Sequence, residues 1–215
     1  MIRIGWTDRR PGDVGLTRVP GEMGELISQF ELGLLPDAPR DHVPSHALVV
    51  GEGHTFQEAD GLYQHDDTTV VESCLSDSEN SVCAINRTSK YDEFDRQGLV
   101  ECWRCEDAVA DQVERALELY ISAYGGSRYG VGNLVGFALE EVVQRFTGHR
   151  MSNPIEWSRV CSQGAMSFLQ LLAKAGAGSA AWSIEGDAQT LVRNCHPLAL
   201  RVWFLAHEVR ANGDR

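Results

Sequence analysis

The feature that most limits the fold is a change of hydrophobic period partway along the chain. Before about residue 105 the apolar residues fall in short runs bounded by Gly, Pro and polar clusters, the pattern of strands and turns. GDVGLTR (12–18) follows a Pro-Gly turn signal and reads as a strand. SHALVV (45–50) is a second strand, GEGH (51–54) a turn, and TFQEADG (55–61) a return strand, so that 45–60 is expected to form a β-hairpin. TTVVES (68–73) reads as a further strand or a continuation of this sheet, and LVECWRC (99–105) has strand propensity. Residues 22–35 suit a short helix or an extended connection, and Pro36, Pro39 and Pro44 then interrupt regular structure. The polar, Ser-rich stretch from Cys74 to about Lys90 reads as a loop or insertion.

After Glu106 the period lengthens. Val109, Val113, Ala116, Leu117 and Tyr120 recur at helical spacing, and GGSRYGVGN (125–133) ends that helix. LVGFALEEVVQRF (134–146) predicts another helix, a third starts around Ser158 to Ser162 and runs to Lys174, and LALRVWFLAHEV predicts a fourth in a C-terminal extension from about 189. Strands early and helices late predict an α+β fold, an antiparallel sheet or open barrel packed against helices. The 215 residues, 43% of them hydrophobic, suit one domain over 1–215.

Charge narrows the partners. The formal net charge is −12 with no basic cluster, which argues against nucleic acid or an anionic membrane as a partner. No apolar run approaches the roughly 20 residues that cross a bilayer, so stable membrane insertion is not expected. MIRIGWTDRRPGDVG carries charges where a signal peptide has its apolar stretch, and the expected compartment is the cytoplasm, where the six cysteines are free thiols.

Two residues carry candidate chemistry. Cys161, in RVCSQGAMSFLQLLAKAG, precedes Ala165, Phe168, Leu169 and Leu172 at helical spacing and so falls at a helix start. Helix N-termini favour thiolates and offer N–H donors to a developing oxyanion. A buried structural cysteine is the competing reading. His46 lies on SHALVV; a thiol nucleophile needs an imidazole to take its proton, and the imidazole needs a polar partner to fix its tautomer. With the turn centred near Glu52, position 46 faces Glu58 across the hairpin, and Glu72 in VVES is the reserve candidate. A one-residue slip would put Glu58 on the other face.

In chain order GDVGL (12–16), SHALVV (45–50), QEADG (57–61), ECWR (101–104), the helix from Glu106, GSRYG (126–130) and VCSQ (160–163) resemble the permuted papain-like amidases, circularly rearranged relatives of the NlpC-type cell-wall peptidases. The resemblance covers roughly residues 11–175. It implies a papain-like fold with the nucleophile at a helix N-terminus, Cys161 as nucleophile, His46 as base and Glu58 as orienting residue. Tyr129 and Ser162 would support substrate or oxyanion. It further implies a cysteine amidase or peptidase needing no cofactor and acting on a small peptide or amide, such as a cell-wall peptide. Gln163 and Gly164 stand where the family usually has Glu after Cys-Ser, and the stretch around 74–90 looks inserted. Related readings are a lipid acyltransferase or thioesterase of the lecithin–retinol acyltransferase-like type, and a non-catalytic binding module that keeps the fold.

Other signals are weaker. Cys102 and Cys105 form one C-x-x-C, with Cys74, Cys83, Cys195 and His196 as further ligand types, but a structural zinc site normally shows two close pairs, so no metal is expected. His196 would allow an unpermuted Cys-then-His order, although NCHPLAL reads as a turn entering a helix. Trp157 could wall a pocket, with core packing as its usual role.

Overall fold

The computed structural model describes residues 1–75, 80–126, 161–177 and 195–208. Six antiparallel strands form the central sheet: β1 (Ile2–Ile4), β2 (Val14–Thr17), β3 (His46–Gly51), β6 (Thr69–Leu75), β7 (Asn80–Arg87) and β8 (Val100–Arg104). Their spatial order is β1-β8-β2-β3-β6-β7. Two short strands, β4 (His54–Gln57) and β5 (Tyr63–Asp66), make a separate ribbon. The described helices are α1 (Glu22–Leu34), α2 (Ser89–Arg96), α3 (Ala110–Tyr124), α4 (Cys161–Lys174) and α5 (Pro197–Ala206). The class is therefore α+β, as the change of hydrophobic period predicts.

Strand β3 occupies the centre because its sequence cannot sit elsewhere. Ala47, Leu48, Val49 and Val50 are all essentially inaccessible, which requires covered faces above and below and a neighbour on each side. Alternate residues go to opposite faces. Ala47 and Val49, with Val14, Leu16, Val71 and Trp103, build the larger core against Ala116, Leu117 and Tyr120 of α3, Ala165, Phe168, Leu169 and Leu172 of α4, and Phe204 of α5. Leu48 and Val50, with Val70 and Cys102, build the smaller one against Trp6 and Tyr91.

The expected 45–60 hairpin does not form. β3 pairs instead with β6, Leu48 opposite Glu72 and Val49 opposite Val71, while β4 folds back on β5 with Gln57 opposite Tyr63. The physical reason lies in both segments. HTFQ is largely exposed and could not cover β3, whereas Val70 and Val71 are buried on opposite faces. Asp60-Gly61 also reverses the chain: Gly61 has φ +85°, and the Asp60 carboxylate accepts the Leu62 N–H at 3.0 Å.

The stretch read as a loop or insertion is likewise mostly structured. β7 takes residues 80–87, and α2 opens at Ser89. The ladder between β6 and β7 shifts register between Glu72 and Cys74, and Cys83 opposite takes a positive φ of 57°. Such a bulge uses an extra residue on one strand and turns side chains away from simple alternation. Residues 22–35 resolve to helix α1, and α3 begins four residues after Glu106, leaving Val109 exposed. The helix predicted at 134–146, Tyr129 and Trp157 lie outside the described residues.

Candidate active site

Three elements meet at one place. Cys161 is the first described residue of α4, His46 the first of β3, and Glu72 the middle residue of β6. His46 Nε2 meets Glu72 Oε2 at 2.6 Å. The contact follows from register: Leu48 stands opposite Glu72, so His46, two residues back on the same face, is its diagonal neighbour. Cys161 lies close enough to the same imidazole for its charge and hydrogen-bonding capacity to act on it.

Electrostatics follow from these contacts. Burial disfavours the imidazolium, but the charge and hydrogen bond of Cys161 and the bond and charge of Glu72 together outweigh it, raising His46 to about 10. Burial likewise works against the Glu72 carboxylate, and the His46 and Tyr91 hydrogen bonds reverse it, holding its pKa well below the usual range. The His46 side chain remains 12% exposed against 4% for Glu72, so the row opens to solvent at the imidazole and closes at the carboxylate.

Glu58 is not in this row. It sits at the reversal of the β4–β5 ribbon, 42% exposed and paired with Arg87, which also reaches Asp66 at 3.3 Å. The carboxylate beside His46 is Glu72, the reserve candidate. Asp60-Gly61 is the signal that β4 turns away too early for Glu58 to face His46. Sequence reasoning also missed Asn86 and Tyr91: the Asn86 amide donates to Glu72 Oε1 at 3.1 Å and the Tyr91 hydroxyl to Oε2 at 2.5 Å. No periodicity marks them, since Asn86 lies within the segment read as an insertion and Tyr91 just beyond it.

Ser162 differs from its expected role as well. Its side chain is inaccessible and the hydroxyl donates to the Cys195 carbonyl at 2.7 Å, tying the first turn of α4 to the chain just before α5. Gly164, one turn after Cys161, allows a close approach. A Cβ there would collide with the Tyr120 hydroxyl and come within 3.2 Å of Ser73 Oγ. Gln163 is buried too.

The other thiols differ from Cys161 in setting. Cys102 belongs to the smaller core and Cys105 to the larger, so the C-x-x-C pair is divided between the faces of the sheet. Burial pushes Cys102, Cys105 and Cys195 up and keeps them protonated. Among the described residues, no group of three or more His, Cys, Asp or Glu side chains could hold a metal ion. His196 caps α5, accepting the Ala199 N–H at 3.4 Å, while Glu31 accepts that of Leu198 at 2.9 Å. It is thereby committed to the helix entry that the sequence pattern indicates.

Two segments of the resemblance also meet. Arg104, ending β8, grips the buried Asp13 at 2.9 and 2.8 Å, so the GD turn and the Arg-terminated strand are neighbours held by a bidentate pair. Among the described residues no helix is long and apolar enough to cross a membrane. No family model, curated protein or solved structure matches the chain.

Proposed function

We propose that this chain is a cysteine hydrolase with a permuted papain-like arrangement, cleaving an amide bond through an acyl-enzyme. The observation that carries the reading is the row Cys161–His46–Glu72: a thiol on helix α4, an imidazole close enough to feel its charge, and a buried carboxylate bonded to that imidazole. The order Asp13, His46, Arg104, Cys161 along the chain, with Asp13 and Arg104 paired, adds support to the resemblance.

In this mechanism Cys161 passes its proton to His46 and its sulfur attacks the carbonyl carbon, moving an electron pair onto the oxygen. Backbone N–H groups of α4 beside Cys161 would donate to the developing oxyanion. Collapse breaks the C–N bond, and His46 gives the proton to the departing amine. Water then loses a proton to His46 and attacks the thioester, releasing the acid and restoring the thiol. Glu72 keeps the imidazole oriented and stabilises its charged form throughout. The substrate class we favour is a small peptide such as a cell-wall stem peptide, taken from the resemblance alone.

The test is site-resolved labelling with a small electrophile, read by mass spectrometry. Cys161 should label well ahead of Cys102, Cys105 and Cys195, and His46→Ala should suppress that labelling. Cys161→Ala should abolish turnover of muropeptide substrates while the protein stays folded. Uniformly slow labelling of all the thiols in the native protein would remove the hydrolase reading. Turnover of acyl thioesters but not muropeptides would move the assignment to acyl transfer.

A further inference from the structure

Glu72 is held by three donors. Its Oε2 meets His46 and the Tyr91 hydroxyl, and its Oε1 takes the Asn86 amide. Tyr91 is fully inaccessible, and its ring lies parallel to the His46 imidazole, 6° between planes and 6.3 Å between centres. Trp6 and Phe94 pack on Tyr91 at 6.1 and 5.8 Å, so its ring cannot swing away. Lys90 places Nζ 5.1 Å from the centre of the same ring and adds positive charge near Glu72. Asn86, Lys90 and Tyr91 all come from six consecutive residues at the end of β7 and the start of α2.

We propose that Asn86 and Tyr91 are positioning residues for the hydrolase reading above, on which this assignment rests: they lock both oxygens of Glu72, and Tyr91 also holds the plane of His46, so that the imidazole keeps its orientation toward Cys161. A carboxylate bonded only to an imidazole can rotate about its terminal torsion, which is broad. Donors on both oxygens remove that freedom, and a network of this kind acts as a unit. The bland alternative is that a buried carboxylate simply needs its lone pairs satisfied. That alternative accounts for the two bonds but not for the ring lying parallel to the imidazole, and the two roles give different results below.

The experiment is the pH profile of Cys161 alkylation by iodoacetamide in the full chain, for wild type, Tyr91→Phe and Asn86→Ala, with thermal melting measured alongside. Each substitution removes one donor from the carboxylate, so Glu72 takes up a proton at higher pH and the acid limb of the profile moves upward. The alkylation rate on that limb should fall by about tenfold, the scale of one lost bond to a charged group. In a Glu72→Ala background neither substitution should move the profile further, because the group through which they act is gone. Profiles superimposed on a reactive wild type overturn the assignment alone, as do effects that persist at full size without Glu72. A Tyr91→Phe chain that loses melting temperature or folding without moving the limb makes the hydroxyl structural, and also overturns it. A wild type whose Cys161 is unreactive removes the hydrolase reading and this assignment together.

Discussion

Replacing Glu72 by Gln removes the charge facing His46 while keeping the side chain's shape, and replacing Glu58 by Gln does the same at the position expected from the sequence. The structure sets very different magnitudes for the two. Glu72 is 4% exposed and meets His46 at 2.6 Å, so its bond is to a charged, largely desolvated partner. Such a bond contributes about 1.5–3 kcal/mol. At about 1.4 kcal/mol per factor of ten, losing it slows acylation roughly 10- to 150-fold. In the Glu72→Gln protein the amide oxygen can still accept from the Tyr91 hydroxyl and from His46, so the chain should fold, and the loss is that of the charge on the His46 bond, with the figures above as its upper bound. Glu58 and Arg87 are 42% and 27% exposed, and an ion pair of that kind contributes about 0–1 kcal/mol to stability and nothing to the reaction. The assay is the rate of Cys161 alkylation at neutral pH beside turnover of a muropeptide, for Glu72→Gln, Glu58→Gln and wild type. A Glu58→Gln protein impaired as much as Glu72→Gln would refute the reasoning, as would a Glu72→Gln protein at wild-type rate.

Two further outcomes concern stability. His46 is raised above its ordinary 6.5 to about 10, so its contribution to folding is complete below pH 6.5 and drains away as pH climbs toward 10. Glu72 is depressed from 4.5 to about 2, so its contribution is complete above 4.5 and is lost as pH falls toward 2. Melting temperature followed across pH should therefore drop less on the alkaline side in His46→Ala than in wild type; parallel curves would deny the coupling. Arg201→Leu should destabilise the chain by about 3–5 kcal/mol in denaturant unfolding, because it strips the buried Glu101 carboxylate of a two-bond partner at 2.8 and 2.9 Å. A negligible loss would mean that Arg3, 3.0 Å away on the exposed side, satisfies Glu101 alone.

Much of this arrangement is legible in the residues because it rests on period and punctuation. The run Ala47–Val50 declares a strand covered on both faces, and Ala165, Phe168, Leu169 and Leu172 declare the buried side of the helix that carries Cys161. Partner choice between strands is where the reading fails. A chain that reverses at GEGH could pair with the next extended segment, and only the weighing of apolar cover against Asp60-Gly61 shows that β3 must wait for Val70 and Val71. Composition also misleads between 74 and 90: polar, Ser-rich sequence suggests a loop, yet β7 is the edge strand of the sheet. An edge strand has only one neighbour to satisfy, and polar residues are common there. Asn86 and Tyr91 stay invisible because their roles depend on long-range placement: the pairing of β6 with β7 sets Asn86 diagonal to Glu72, and the packing of α2 brings Tyr91 to the same carboxylate.

Gly164 carries a consequence larger than its size. The sulfur of Cys161 is placed by how deeply the helix behind it settles, and that depth is limited where the helix touches Tyr120 and Ser73. A single methyl at 164 would act as a spacer, lifting the nucleophile from its base, and misplacement by about 1 Å is enough to cost a hundredfold in rate. The reacting distance is thus written partly into a position that has no chemistry of its own, and damage there would look like loss of a catalytic group while every such group remained intact.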